Sequence, residues 1–149
     1  MARIEGVIII NRPVETVFDF VADERNEPRY NPSMLHAEKV SDGPIGLGTR
    51  FRAETNSMGR TSEMIIEFTT YDRPKVLVSS TRLSSMDIQG SLTFDVIDNG
   101  TRMRWSWDLK PRGVFSLITP LIRIMGKRQE ERIWGNLKHY LETQEARPE

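Results

Sequence analysis

From Ile88 to Leu109 apolar and polar residues alternate almost without a break. Ile88, Gly90, Leu92, Phe94 and Val96 interleave with Gln89, Ser91, Thr93 and Asp95; Met103, Trp105, Trp107 and Leu109 interleave with Arg102, Arg104, Ser106 and Asp108. A period of two sends each set to its own face of a strand. Asp98-Asn99-Gly100 between the runs is a tight-hairpin signal. Two such strands must pair antiparallel, one face inward and one face wet. This pair restricts the chain to folds that lay something apolar against a one-sided sheet.

More strands precede it. Arg3 to Ile10 ends in a β-branched run, Leu35 to Val40 is short, and Thr49, Phe51, Ala53 and Thr55 alternate with Arg50, Arg52 and Glu54. Met64, Ile66 and Phe68 continue the pattern after a turn at Asn56 to Gly59, and Lys75 to Arg82 follows Asp72-Arg73-Pro74. The loop from Ser41 to Gly48 is glycine-rich, but no Lys-Ser/Thr follows it, so it is read as a turn rather than a phosphate cradle.

Two stretches break the period. Val14, Val17, Phe18 and Val21 lie at helical spacing behind Pro13, and Asp23 to Pro32 reads as a short helix or turn. The long stretch from Val114 to Thr143 places Phe115, Ile118, Ile122, Gly126, Gln129, Ile133, Leu137 and Tyr140 on one face, with Lys127, Glu130, Glu131, Lys138 and Glu142 opposite. Pro120 either kinks this helix or marks a first turn capped by Thr119. Val114, Leu117, Leu121, Ile124 and Met125 form a second apolar face. Packing on the early helices is the preferred account of it; burial in a membrane surface or against a second copy are the alternatives.

The fold class expected is therefore α+β: a curved antiparallel sheet of about seven strands wrapped around a long C-terminal helix, with two short helices between the first two strands. Residues 1–145 are read as one domain and 146–149 as a frayed tail. Lys+Arg and Asp+Glu are each 21, giving zero net charge and no basic field for nucleic acid. The absence of cysteine excludes disulfides and thiolate metal sites. No stretch approaches the ~20 apolar residues of a membrane span, and a cytoplasmic location is expected.

Ile10-Asn11-Arg12-Pro13-Val14-Glu15-Thr16-Val17-Phe18-Asp19-Phe20-Val21-Ala22-Asp23, the later Tyr30-Asn31-Pro32 and the ending Leu137-Lys138-His139-Tyr140-Leu141-Glu142 resemble the polyketide cyclase/dehydrase branch of the START/Bet v 1-like superfamily. The resemblance covers essentially the whole chain. It implies the helix-grip fold and a deep apolar cavity between sheet and long helix. It brings no catalytic motif that maps onto numbered positions.

The strand phases direct Phe51, Met64, Ile66 and Phe68 toward the long helix. Leu92, Phe94, Met103, Trp105 and Trp107 follow on the next strands. These residues, with Ile122, Gly126 and Gln129 on the helix, are the candidate ligand-binding set, and Tyr30 is the preferred polar contact. Gly90 facing Gly126 and Gln129 argues for a hollow centre of ~300–1,000 Å³. Arg29, His36, Ser79 and Thr81 are further polar candidates. Glu63, Glu67, Asp87 and Asp95 fall outward, so no inward carboxylate pair is expected. With only His36 and His139 available, neither a metal nor a cofactor is expected. A small apolar ligand is the expected partner. Simple binding, a cyclase or dehydratase reaction, and lipid carriage at a membrane surface all stay open, as does a homodimer.

Overall fold

The computed structural model describes residues 2–57 and 59–143. The proposed tail at 146–149 lies outside them. Seven strands form one antiparallel sheet: β1 (Ala2–Ile10), β2 (Met34–Lys39), β3 (Arg50–Ser57), β4 (Arg60–Asp72), β5 (Val76–Arg82), β6 (Met86–Ile97) and β7 (Gly100–Pro111). Their order across the sheet is β1-β7-β6-β5-β4-β3-β2. From β2 to β7 each strand pairs with the next, as short turns require. The first strand joins the far side instead, against β7 with Ile4 opposite Trp107 and Gly6 opposite Trp105.

Helix α1 (Val14–Ala22) and a 3-10 helix, Glu24–Arg29, carry the chain from one sheet edge to the other. Val14, Val17, Phe18 and Val21 are buried, as their spacing predicts. The Phe18 ring meets Phe94 and Tyr71 edge-on at 5.1 and 5.3 Å. Asp23 starts the 3-10 helix by accepting from the Arg25 N–H at 3.1 Å. Pro28, inside its last turn, blocks extension into an α-helix.

The long helix divides. Gly113–Ile118 is a 3-10 helix, and α2 runs from Thr119 to Thr143. Pro120 therefore stands in the first α-helical turn, where a missing N–H costs nothing. Thr119 does not cap it with its oxygen; the hydroxyl donates to the Ser116 carbonyl at 2.8 Å. The second half of α2 is anchored. Ile133, Trp134, Leu137 and Leu141 are buried, Lys138 Nζ donates to the Ile9 carbonyl at 2.6 Å, and the Asn11 N–H donates to Glu142 Oε2 at 2.8 Å.

The front half departs from expectation. Leu117 is 81% exposed, and Val114, Leu121, Ile124 and Met125 are at least half exposed. Phe115 and Ile118, assigned to the sheet-facing side, are exposed too. The early helices do not cover this face, because they lie over the other half of α2. Asn136 Nδ2 donates to the Tyr30 carbonyl at 3.0 Å, and Arg29 Nη1 to the Tyr140 hydroxyl at 3.0 Å.

Candidate functional site

An enclosed cavity of about 60 Å³ lies where the 3-10 helix, the sheet and the middle of α2 meet. Its apolar wall is Val21, Phe68, Leu77, Leu92, Trp107 and Trp134, and its polar groups are Glu24, Glu27, Tyr30, Ser79 and Glu130. Of the residues nominated from sequence, Tyr30, Phe68, Leu92 and Trp107 come together here, and Ser79 joins them. Phe51, Ile66, Phe94, Met103 and Trp105 are buried in the core but do not line the cavity, and Phe51 packs against Phe68 with ring centroids 5.6 Å apart. Met64 and Ile122 are partly buried beside that core. His36 is exposed on β2 near Glu54, and His139 is exposed on α2.

Three expectations need correction. The hollow centre is far smaller than ~300–1,000 Å³, because the glycines do not leave space. A side chain on Gly90 would collide with the Trp107 ring that lies over it, and one on Gly6 would meet the Trp105 ring at 2.6 Å. Each glycine is the cross-strand partner of the indole that covers it. Nor does Gly126 face Gly90: a Cβ there would touch Ile4 at 3.4 Å and Leu109 at 3.7 Å. The helix comes close to the sheet at that point.

Gln129 is exposed, and its neighbour Glu130 points inward. Inward carboxylates do exist, therefore, and sequence reasoning missed all three. Glu24 and Glu27 share one side of a 3-10 turn at a spacing of three, which was the available signal. Glu130 lies one helical turn before Trp134 and one after Gly126, so the phase of the buried second half points to it.

The electrostatics of this group are one-sided. Glu24 Oε2 is sealed from solvent without a hydrogen-bond partner. Burial pushes its carboxyl well above the usual carboxylate range, and the facing Glu27 carboxyl adds to the rise. Glu27 is held by Asn31 Nδ2, which donates to its Oε2 at 2.7 Å. Burial pushes Glu130 up to about 7, with Trp107 Nε1 opposing the rise by donating to Oε1 and Glu27 adding to it. The Trp134 N–H leans toward the same carboxyl, which favours its charged form, but it falls outside hydrogen-bond geometry and is left unpartnered. Burial, followed by Glu27, Glu24 and Glu130, also drives the Tyr30 phenol well above its ordinary value. The arrangement can hold a proton near neutrality and can accept donors from a guest. Among the described residues no group of three His, Cys, Asp or Glu is placed to hold a metal ion.

The family model for polyketide cyclase / dehydrase and lipid transport proteins matches residues 1–142. The chain belongs to that family. No curated protein matches the sequence. A START superfamily protein from Mycobacterium smegmatis superposes with a TM-score of 0.83 at 12% identity, covering 95% of this chain and 97% of its own. Ara h 8.0201 gives 0.76 at 15% identity over 95% and 98%. The Zhui aromatase/cyclase from Streptomyces sp. R1128 gives 0.72 at 14% over 93% and 89%. At these identities the likeness establishes the helix-grip fold alone. Among the described residues no helix of this family member is long and apolar enough to cross a membrane.

Proposed function

We propose that this family member binds a small, largely apolar molecule between its sheet and α2, with the molecule's polar end at the Glu24, Tyr30 and Glu130 constellation. The observation that carries this is the cavity itself. Aromatic and aliphatic walls surround two buried polar atoms without partners, Glu24 Oε2 and the Trp134 N–H, and unpaired buried polar groups are costly unless something meets them. The volume of about 60 Å³ holds a head group or a pair of waters. A larger guest must part α2 from the sheet at Glu130 and Trp134, the α2 residues that line the void. The test is saturable binding of a fluorescent naphthalene probe. Ser79→Leu, which fills the cavity from β5, should weaken binding at least tenfold. A probe that binds no better than it does to an unrelated protein, or one indifferent to Ser79→Leu, removes the reading.

A second reading, a cyclase or dehydratase-type reaction in the same place, is favoured by one observation. The Glu130 carboxyl, pushed up to about 7, has the proton affinity that suits general acid–base work at neutral pH. Turnover of an aromatic polyketide intermediate, lost in Glu130→Gln while probe binding survives, would support it. Conversion by Glu130→Gln at the parent rate would end it.

A further inference from the structure

We propose that the polar end of the cavity selects an organic cation: a primary or secondary ammonium carried on an apolar or aromatic body. This rests on the binding reading above and adds the class of guest. Three carboxyls, from Glu24, Glu27 and Glu130, converge on a cavity whose lining, among the described residues, includes no Lys, Arg or His. The charged groups acting on Glu24 are Glu27, Asp23 and Glu130, all acidic, and the one acting on Glu130 is Glu27. The nearby cations are engaged elsewhere: Arg25 binds the Asp23 carboxylate and Arg29 the Tyr140 hydroxyl. With no cationic side chain among the described residues lining it, the cluster meets burial by holding Glu24 protonated, and an entering cation would supply the missing counter-charge.

A second, independent feature points to a guest. Trp134, 5% exposed, borders the cavity with its indole N–H unpartnered. It leans toward a Glu130 carboxyl that one Trp107 N–H already occupies. An ammonium that pulled Glu130 fully into its charged form would strengthen both indole donations. The ring faces complete the site. Tyr30 and Trp107 flank Trp134, with ring centroids 6.0 and 6.3 Å from it, so three aromatic rings border the void, and a ring face attracts a cation lying within about 6 Å of its centroid. An ammonium head fits the void of about 60 Å³, and its apolar body takes a place along Phe68, Leu77 and Leu92 once α2 parts from the sheet.

The titratable groups facing the cavity are Glu24, Glu27 and Tyr30 from the first connection and Glu130 from α2; the sheet contributes only Ser79 and apolar or indole groups. A cation binds their ionised forms and displaces protons, so its affinity rises with pH.

The experiment compares three probes of one shape on the full-length protein by calorimetry: 1-naphthylmethylamine, 1-naphthylmethanol and 1-naphthoic acid. At pH 7.5 the amine should bind at least tenfold tighter than the alcohol, and the acid should not bind. The amine should weaken at least fivefold at pH 5.5, and Glu24→Gln/Glu130→Gln should bring it down to the alcohol's affinity. An alcohol that equals or beats the amine, or an amine preference untouched by the double variant, overturns the choice of a cation and leaves the apolar site standing. Failure of all three probes to bind overturns both.

Discussion

Trp107 stands over Gly90 with its ring edge on the glycine backbone and its N–H on Glu130. One methyl group at Gly90 would displace the ring and release the carboxylate. Gly90→Ala should therefore cost about 1–3 kcal/mol, measured by urea unfolding, and should also move the tryptophan emission of the folded protein. Trp134 offers the complementary test. Trp134→Phe deletes the unpartnered N–H and keeps most of the ring, so its stability in the same assay should lie within about 1 kcal/mol of the parent. Trp134→Ala should lose about 3–5 kcal/mol. A Phe variant as unstable as the Ala variant would mean that the N–H has a partner after all. At this scale the sequence was least legible. Stepping from Gly126, a spacing of three reaches Gln129 and a spacing of four reaches Glu130; both are helical. The reading took the spacing of three, to Gln129, and set Glu130 on the charged side; in the structure Gln129 is exposed and Glu130 lines the cavity. The glycines misled for a related reason: in a sheet, the space a glycine leaves belongs to its cross-strand partner.

Among the elements, the strand faces were readable, although β4 runs from Arg60 to Asp72, well beyond the alternation around Met64, Ile66 and Phe68. Phe51, Ala53, Ile66, Phe68, Leu92, Phe94, Met103 and Trp105 are all buried on the predicted face, because a register error of one residue would expose the whole row. Helix α2 was readable only where it is anchored. Its back half obeys the spacing through Ile133 and Leu137; its front half carries apolar residues, among them Leu121, Ile124 and Met125, that the described residues leave about half exposed. The two halves should answer mutation differently. Leu137→Ala, in a fully buried position, should cost about 2–5 kcal/mol. Leu121→Ser, at a position 52% exposed, should stay within about 0.5 kcal/mol. Equal losses at the two positions in thermal unfolding would contradict the division of α2 described here.

For the molecule as a whole, the cavity carboxyls set the pH response. Glu130 titrates at about 7 when folded against an ordinary 4.5. Between those values the folded chain keeps a proton that the unfolded chain releases, so stability falls as pH rises through that window and levels off above it. The size is on the order of 3 kcal/mol, and Glu24 acts in the same direction. Asp23 and Glu142, held below their ordinary values chiefly by Arg25 and Lys138 against the cost of burial, oppose it. Their stabilisation is present above the ordinary carboxylate range and disappears on further acidification. The melting temperature should thus peak in mildly acidic solution and drop between pH 5 and 8, and Glu130→Gln should flatten that drop. A parent curve that rises toward pH 8 would contradict the buried acidic cluster.

Pairing β1 with β7 joins residues roughly 100 positions apart, and α2, which holds Ile9 of that strand through Lys138 and Asn11 just beyond it through Glu142, is later still. On the ribosome, the first strand therefore emerges long before its only neighbour in the sheet exists, with Val7 to Ile10 bare. The nascent chain must shelter that segment or be sheltered, and closure waits until β7 and α2 have been made. Loop-closure cost of this kind slows folding, and any fragment ending before β7 leaves a sticky apolar edge for other chains to find.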